Sequence, residues 1–254
     1  MARKDPLRGR RIIVTRPRHQ AASLKNALAT LGADVVVAPA IRIEPPVDGA
    51  PLDAAVARAD DYDWIVFTSV NGVEAFFDRA TSTPRSEFAA IGPATADALA
   101  ERGVRASVVP ERFVAEEVFE ALSRHTDLSG KRILLPRADI AREALPNLLR
   151  DAGCDVDVVT AYRTTPASED IERAIALVRD ASVDAVTFTS GSTVRSFFSS
   201  ADDNLRARVT PASIGPITSD ALREENVEPV IEAERYTTEG LVEAIRRHFS
   251  PEVG

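Results

Sequence analysis

Two stretches place hydroxyl groups where chemistry could be done: Thr68-Ser69 within DWIVFTSVNGVEAFF (63–77), and Thr189-Ser190 within DAVTFTSGSTVRSFF (184–198), 121 positions later. Each stretch begins with β-branched and apolar residues, passes through Thr-Ser and a small or polar turn, and enters a segment of helical spacing. A serine there could be a nucleophile. It could also be a hydrogen-bond donor beside helix-start amides, which are unpaired and carry the positive end of the helix dipole. A nucleophilic serine needs a base within reach, usually His, and the only histidines are His19, His125 and His248. The last two fall at or near the ends of helical segments, where the dipole explains a cation, and His19 reads as a solvated turn residue. There is no GxSxG elbow, so a hydrolase triad is not expected.

The remaining polar groups at turns favour anion binding. Arg16 follows the apolar run RIIVT, and Arg137 occupies the aligned place after the later run RILLP; both are expected in turns. Thr95 and Thr218 follow the Gly-Pro pairs of AIGPATADAL (90–99) and SIGPITSDAL (213–222). Arginine forks, hydroxyls and helix-start amides together suit carboxylates. Tyr162 breaks the symmetry, because its counterpart in the first repeat is Ile41. A phenol so placed could donate a proton or steady a leaving hydroxyl, or could simply pack. Metal chemistry has no ligand spacing to support it, with one Cys and three scattered His. Neither a Walker loop nor GxGxxG is present.

The elements that must position these groups repeat along the chain. Arg11–Thr15 reads as a strand, Ala21–Leu31 as a helix closed by Gly32, and Val35–Val37 as a second strand. The order returns as Gly130–Leu135, Ala144–Ala152 closed by Gly153, and Val156–Val159. The Thr-Ser stretches follow in register. The Gly-Pro blocks come next, with the offset grown to 123 by two inserted residues. Val108 and Ile231 read as short strands, and Phe113–Leu122 and Tyr236–Ile245 as terminal helices, the second capped by Thr237 or Thr238. Apolar strands alternating with helices predict α/β architecture with parallel sheets covered on both faces, so each half reads as a flavodoxin-like unit. Ligands of such sheets bind beyond the carboxyl ends of the strands. Two extended, proline-ending segments at equivalent places, AIRIEPP (40–46) and AYRTTPA (161–167), could form a two-stranded tie. In that case the first strand-helix-strand unit completes the sheet of the second half, and the reverse.

Composition narrows the class. The 254 residues suggest two modest domains, and 44% hydrophobic content supplies real cores. A formal net charge of -8 argues against nucleic-acid binding by bulk electrostatics. A single cysteine, Cys154, allows no internal disulfide and reads as a small buried apolar residue. The basic start MARKDPLRGRR precedes only a short apolar run, too brief for a signal peptide. No stretch approaches the ~20 apolar residues of a membrane span, so a cytoplasmic protein is expected.

VTRP (14–17), FTSVNGVEAFF (67–77), IGPATADAL (91–99), AYRT (161–164), TFTSGSTVRSF (187–197) and SIGPITSDAL (213–222) together resemble the uroporphyrinogen-III synthases, over nearly the whole chain. Each motif is weak alone; their order and spacing are specific. The resemblance implies a cofactor-free, metal-free lyase of tetrapyrrole (haem) synthesis that closes linear hydroxymethylbilane into uroporphyrinogen III. The last pyrrole ring is inverted and water is lost, through a spirocyclic intermediate. It implies two flavodoxin-like domains with a wide cleft and a two-stranded β linker. Residues 1–38 with 168–254 would form one domain, 47–160 the other, and 39–46 and 161–167 the linker strands. It assigns Tyr162 to departure of the hydroxyl, and Thr68, Ser69, Thr189, Ser190, Ser192 and Thr218 to substrate binding. Asn71 stands where some members carry a basic residue, and Arg16 and Arg137 join the substrate-binding set from their turn positions. A transient handover of the bilane from the preceding enzyme and a monomeric state complete the expectation. A non-catalytic two-domain module that senses an anion or tetrapyrrole is the alternative, since fold alone does not fix function.

Overall fold

The computed structural model describes residues 5–250. The first four residues of the basic start and the last four, through Gly254, lie outside that range. In chain order the elements are β1 (Arg11–Val14), α1 (Ala22–Thr30), β2 (Asp34–Val37), β3 (Ile41–Glu44), α2 (Ala50–Ala57), β4 (Trp64–Phe67), α3 (Val70–Phe77), β5 (Glu87–Ala90), α4 (Pro93–Glu101) and α5 (Ala115–His125). There follow β6 (Arg132–Ala138), α6 (Ala144–Asp151), β7 (Asp155–Pro166), α7 (Ser168–Arg179), β8 (Ala185–Phe188), α8 (Gly191–Phe198), α9 (Asp203–Arg208), β9 (Pro211–Ser213), α10 (Pro216–Glu224), β10 (Ile231–Glu232) and α11 (Thr238–Phe249). Among the described residues no helix is long and apolar enough to cross a membrane.

The strands form two sheets, ordered β10-β9-β8-β1-β2 and β3-β7-β6-β4-β5. Pairing within the first is parallel throughout. The second is parallel from β5 through β4 and β6 to β7, and Val108 adds an isolated parallel bridge beside Ala89. The chain crosses over: β1 and β2 complete the sheet of β8–β10, while β6 and β7 complete the sheet of β4 and β5. Two compact units result, Met1–Arg42 with Thr165–Gly254 and Ile43–Thr164, and the chain passes between them within β3 and again within β7. β7 is one continuous strand of 12 residues, so the segment 161–167 is not set apart from the strand that precedes it.

Alternation along the strands builds an apolar layer on each face of each sheet. In the unit of β1, Ile13 joins Val186 and Phe188 on one face while Ile12 and Val14 join Ala185 on the other. In the unit of β4, Ile65 and Phe67 face one layer and Trp64 and Val66 the other. The paired phenylalanines of the repeated stretch are core. Phe67 meets Phe76 edge-on at 5.6 Å and Phe188 meets Phe197 at 5.4 Å, with Phe77 and Phe198 completing matching clusters. Left-handed Gly32 (φ 91°) and Gly153 (φ 86°) follow α1 and α6, where a side chain would be strained.

Candidate functional site

Ser69 and Ser190 hold the same local position in their own units. Each is extended, caps its helix, and accepts the amide three residues on: Gly72 N–H at 3.1 Å and Thr193 N–H at 3.3 Å. The serine oxygen thus satisfies one of the amides that a helix start leaves unpaired.

Beyond that shared cap the two turns differ. In the unit of β4, the Tyr162 hydroxyl donates to Ser69 Oγ at 3.0 Å, and the Asn71 side chain hydrogen-bonds the same phenol. Tyr162 stands on β7 and is only 8% exposed. Burial pushes its hydroxyl above the ordinary tyrosine value, opposed by the bonds to Ser69 and Asn71 and aided by the nearby charge of Asp139. The phenol is therefore a proton holder at neutral pH. Gly72 makes this packing feasible, because a Cβ there would come within 2.9 Å of the Pro136 carbonyl oxygen and 3.3 Å of Ser69 Oγ. In the unit of β8, Ser192 takes the place of Asn71, and its hydroxyl lies 2.9 Å from that of Ser190. Thr193, at the position of Gly72, donates to the Ser190 carbonyl at 2.7 Å. Thr68 and Thr189 are half-buried at the ends of β4 and β8.

Arg16 lies in the bend beyond β1, half-buried, and donates to Thr238 Oγ1 at 3.1 Å at the start of α11. Burial pushes its guanidinium below the ordinary value, and Glu239 partly offsets this. Arg137 does not share that setting. It is a strand residue near the end of β6, not a turn residue, and its guanidinium is bonded to the Glu143 carboxylate and, at 2.8 Å, to the Arg142 carbonyl. The reason lies in the partner strand. β6 ladders on the long β7 through Arg137–Thr160 and, after a register shift, to Ala138–Tyr162, whereas β1 stops at Val14 opposite the shorter β2. Thr218 sits in the first turn of α10 but is 4% exposed, so its side chain has little access to a ligand in this conformation. Thr237, one of the two threonines expected to cap α11, is the cap, accepting from Gly240 N–H at 3.1 Å.

Sequence reasoning passed over one matched feature of the Gly-Pro turns. The aromatic rings of Phe113 and Tyr236 close over Gly92 and Gly215, at 2.9 Å and 2.7 Å from where a Cβ would stand. The offset of 123 relates them, so the alignment held the clue. Among the described residues no group of three or more His, Cys, Asp or Glu is arranged to hold a metal ion. Cys154 is buried with its thiol directed to the Leu128 carbonyl, and burial raises its pKa.

Two parallel α/β units with crossed-over strands, each presenting a serine-capped helix start, make a two-unit α/β protein whose strand ends carry hydroxyl groups. Comparison with known proteins gives the class its family. The model described as uroporphyrinogen-III synthase HemD matches residues 22–243. The uroporphyrinogen-III synthase of Synechococcus elongatus is 34% identical over 96% of this chain and 97% of its own. The putative uroporphyrinogen-III synthase of Methanothermobacter thermautotrophicus is 34% identical over 91% and 96%. Among solved structures, a mutant uroporphyrinogen III synthase from Thermus thermophilus superposes with a TM-score of 0.69 at 22% identity, over 96% of this chain and 100% of that one. A uroporphyrinogen-III synthetase from Helicobacter pylori gives 0.58 at 17% identity, over 93% and 98%; these two speak for the fold alone. The chain belongs to the uroporphyrinogen-III synthase family. Its activity is that of a hydro-lyase of tetrapyrrole biosynthesis, closing hydroxymethylbilane to uroporphyrinogen III.

Proposed function

We propose that Tyr162 is the group that assists the departing hydroxyl, and that the serine-capped turns bind carboxylates and orient the chain. The bond from Tyr162 to Ser69 carries this reading: a buried phenol, held protonated and aimed at a helix-start serine, can transfer its hydrogen bond to a substrate hydroxyl. The C–O bond of the hydroxymethyl group breaks and the hydroxyl leaves as water with a proton from the phenol. The substituted carbon of the last ring bonds the freed methylene to give a spirocyclic intermediate, and the older bond from that carbon to the neighbouring ring's methylene breaks. That methylene bonds the last ring's free α carbon, and the proton lost from this carbon as the pyrrole regains aromaticity restores the phenol. The substrate supplies both electrophile and nucleophile, so the protein's task is placement and proton delivery. Thr68, Asn71, Thr189, Ser190, Ser192 and Arg16 are read as carboxylate donors. Thr218 and Arg137 are read as contributing only where bound substrate opens their present contacts.

The test couples the purified chain to enzymatic generation of hydroxymethylbilane and separates the product isomers. The type III isomer is expected, and formation of type I alone would overturn the reading. The same reading takes the chain as a cytoplasmic monomer that receives its labile substrate by direct handover. A sedimentation mass near 27.4 kDa is expected, and twice that value would refute the monomer.

A further inference from the structure

Strand β7 breaks its own alternation at Tyr162. Successive side chains on a strand point to opposite faces. Val159 and Ala161 accordingly share one core layer with Ile65 and Phe67 of β4, while Val156 and Val158 pack against the other. Alternation assigns Tyr162 to the second layer, yet it packs in the first. The cause is the register shift against β6, where pairing moves from Arg137–Thr160 to Ala138–Tyr162 and passes over Ala161. A bulge of this kind re-aims the side chain beside it. Here it turns the phenol toward the residues that follow β4, where its hydroxyl meets Ser69 Oγ at 3.0 Å.

A bulge interrupts the ladder, so the rungs on its far side come from beyond the end of β6. Asp139 supplies them. Its N–H donates to the Tyr162 carbonyl at 3.0 Å, and its carboxylate Oδ1 accepts the Thr164 N–H at 3.3 Å and the Ile140 N–H at 2.9 Å. In a continued strand the Thr164 amide would meet a main-chain carbonyl; the chain bends at Asp139, and the side chain takes that carbonyl's place. Arg163, between the two gripped residues, is tied to the Glu44 carboxylate at the end of β3 at 3.0 Å and to the Pro45 carbonyl at 3.1 Å. The offset of 121 sets Arg18 opposite Asp139, as it sets Ile41 opposite Tyr162, so carboxylate and phenol belong to the same repeat and to that one only.

We propose that Asp139 is a positioning residue for the ring-closing reaction: its amide and carboxylate hold β7 beyond the bulge at Ala161 and so keep the Tyr162 hydroxyl at Ser69, ready for the leaving hydroxyl of the substrate. This rests on the reading of Tyr162 as the group that assists that departure. Asp139 acts by its hydrogen bonds and not by its charge. Burial is the largest cause of the raised Tyr162 pKa and keeps the phenol protonated at neutral pH without the carboxylate.

The experiment compares Asp139→Ala, which removes the acceptor, with Asp139→Asn, which keeps an oxygen for the Thr164 N–H and removes the charge. Each is made in the wild-type chain and in Tyr162→Phe. The kcat and KM for enzymatically generated hydroxymethylbilane are measured, with thermal unfolding as the folding control. Asp139→Ala is expected to lower kcat by about twofold to tenfold, the effect of one hydrogen bond, with KM little changed. Asp139→Asn should keep the wild-type kcat. In the Tyr162→Phe background Asp139→Ala should lose nothing further, because no hydroxyl is left to place. An unchanged kcat in Asp139→Ala overturns the proposal, however its melting temperature moves. So does an equal loss in Asp139→Asn, or the same loss with and without the phenol. If Asp139→Ala does not fold, Asp139→Glu, whose carboxylate stands one methylene further out, decides by the same readouts. A wild-type rate in Tyr162→Phe alone refutes the reading of Tyr162 and this proposal with it. A slowed Tyr162→Phe beside an unchanged Asp139→Ala strikes the proposal alone, so the two failures are distinguishable.

Discussion

Replacing Tyr162 by Phe removes one oxygen from a site whose geometry predicts the size of the loss. The hydroxyl of buried Tyr162 on β7 donates to Ser69 Oγ, the cap of α3, at 3.0 Å. In the fold, Ser69 keeps its bond from Gly72 N–H while the phenol's bonds to Ser69 and Asn71 are lost, so the variant should lose about 1–3 kcal/mol of stability, the net worth of two neutral hydrogen bonds. In the proposed reaction the phenol bonds a hydroxyl that is acquiring negative charge. Bonds to charged groups are worth about 1.5–3 kcal/mol, and each 1.4 kcal/mol is about tenfold in rate. Turnover should therefore fall about tenfold to a hundredfold, with type III still the main enzymatic product because placement is intact. The assay is single-turnover closure of freshly generated hydroxymethylbilane, followed by isomer separation, alongside thermal unfolding of the variant. A melting temperature close to the wild type's together with an unchanged rate would refute proton delivery by this phenol and leave placement as its only role. The pH profile adds an independent sign. Burial raises the Tyr162 pKa, so wild-type turnover should hold through neutral pH and be lost only as pH rises past the ordinary tyrosine range.

Two further outcomes bear on the frame around that site. Gly72→Ala should destabilise the chain by about 1–3 kcal/mol, because the new Cβ meets the Pro136 carbonyl, which is backbone and has little freedom to yield. Turnover should fall as well, since the same atom presses on Ser69, and a wild-type melting temperature would show that the strand end gives way freely. Tyr62 donates to Asp157 Oδ2 at 2.6 Å, and burial, then that carboxylate, push its pKa up to about 12. Because the folded value lies above the unfolded value of about 10, its contribution is whole below pH ~10 and is lost as pH rises toward about 12. Chemical denaturation across that window should show Tyr62→Phe losing less stability than wild type; equal losses would refute the assignment.

The parts of the fold legible in the sequence were those set by local pattern. Apolar runs, the glycines after α1 and α6, and the threonine cap of α11 follow from residues within one turn of one another. The crossover followed from AIRIEPP and AYRTTPA standing at the same place in both halves. What escaped was set by partners distant in sequence. Arg137 falls in a strand because β7, some twenty residues further on, is long enough to pair with it. Helix α7 was passed over although Ile171, Ala174 and Val178 are spaced for a buried face. Ser213 and Ser219 read as ordinary turn and helix serines until Glu232 is brought beside them across β9 and β10.

The serines that first suggested nucleophilic catalysis are committed elsewhere by the fold. Ser69 accepts from Gly72 N–H and Tyr162, and Ser190 from Thr193 N–H, with Ser192 alongside. His125 stands edge-on to Trp64 and 3.4 Å from Glu87, and His248 packs against Phe249, so two of the three imidazoles serve helix ends. A substrate that already carries a leaving hydroxyl and electron-rich pyrrole carbons needs no stronger nucleophile than its own. An activated serine in such a site would compete with the pyrrole carbon for the electrophile and divert the reaction. In the proposed mechanism, capping the helices with these hydroxyls serves the chemistry twice: it leaves donors for carboxylates and it withholds a reactive oxygen. In the same proposed mechanism Tyr162, present on β7 but replaced by Ile41 on β3, confines proton delivery to one of the two repeats.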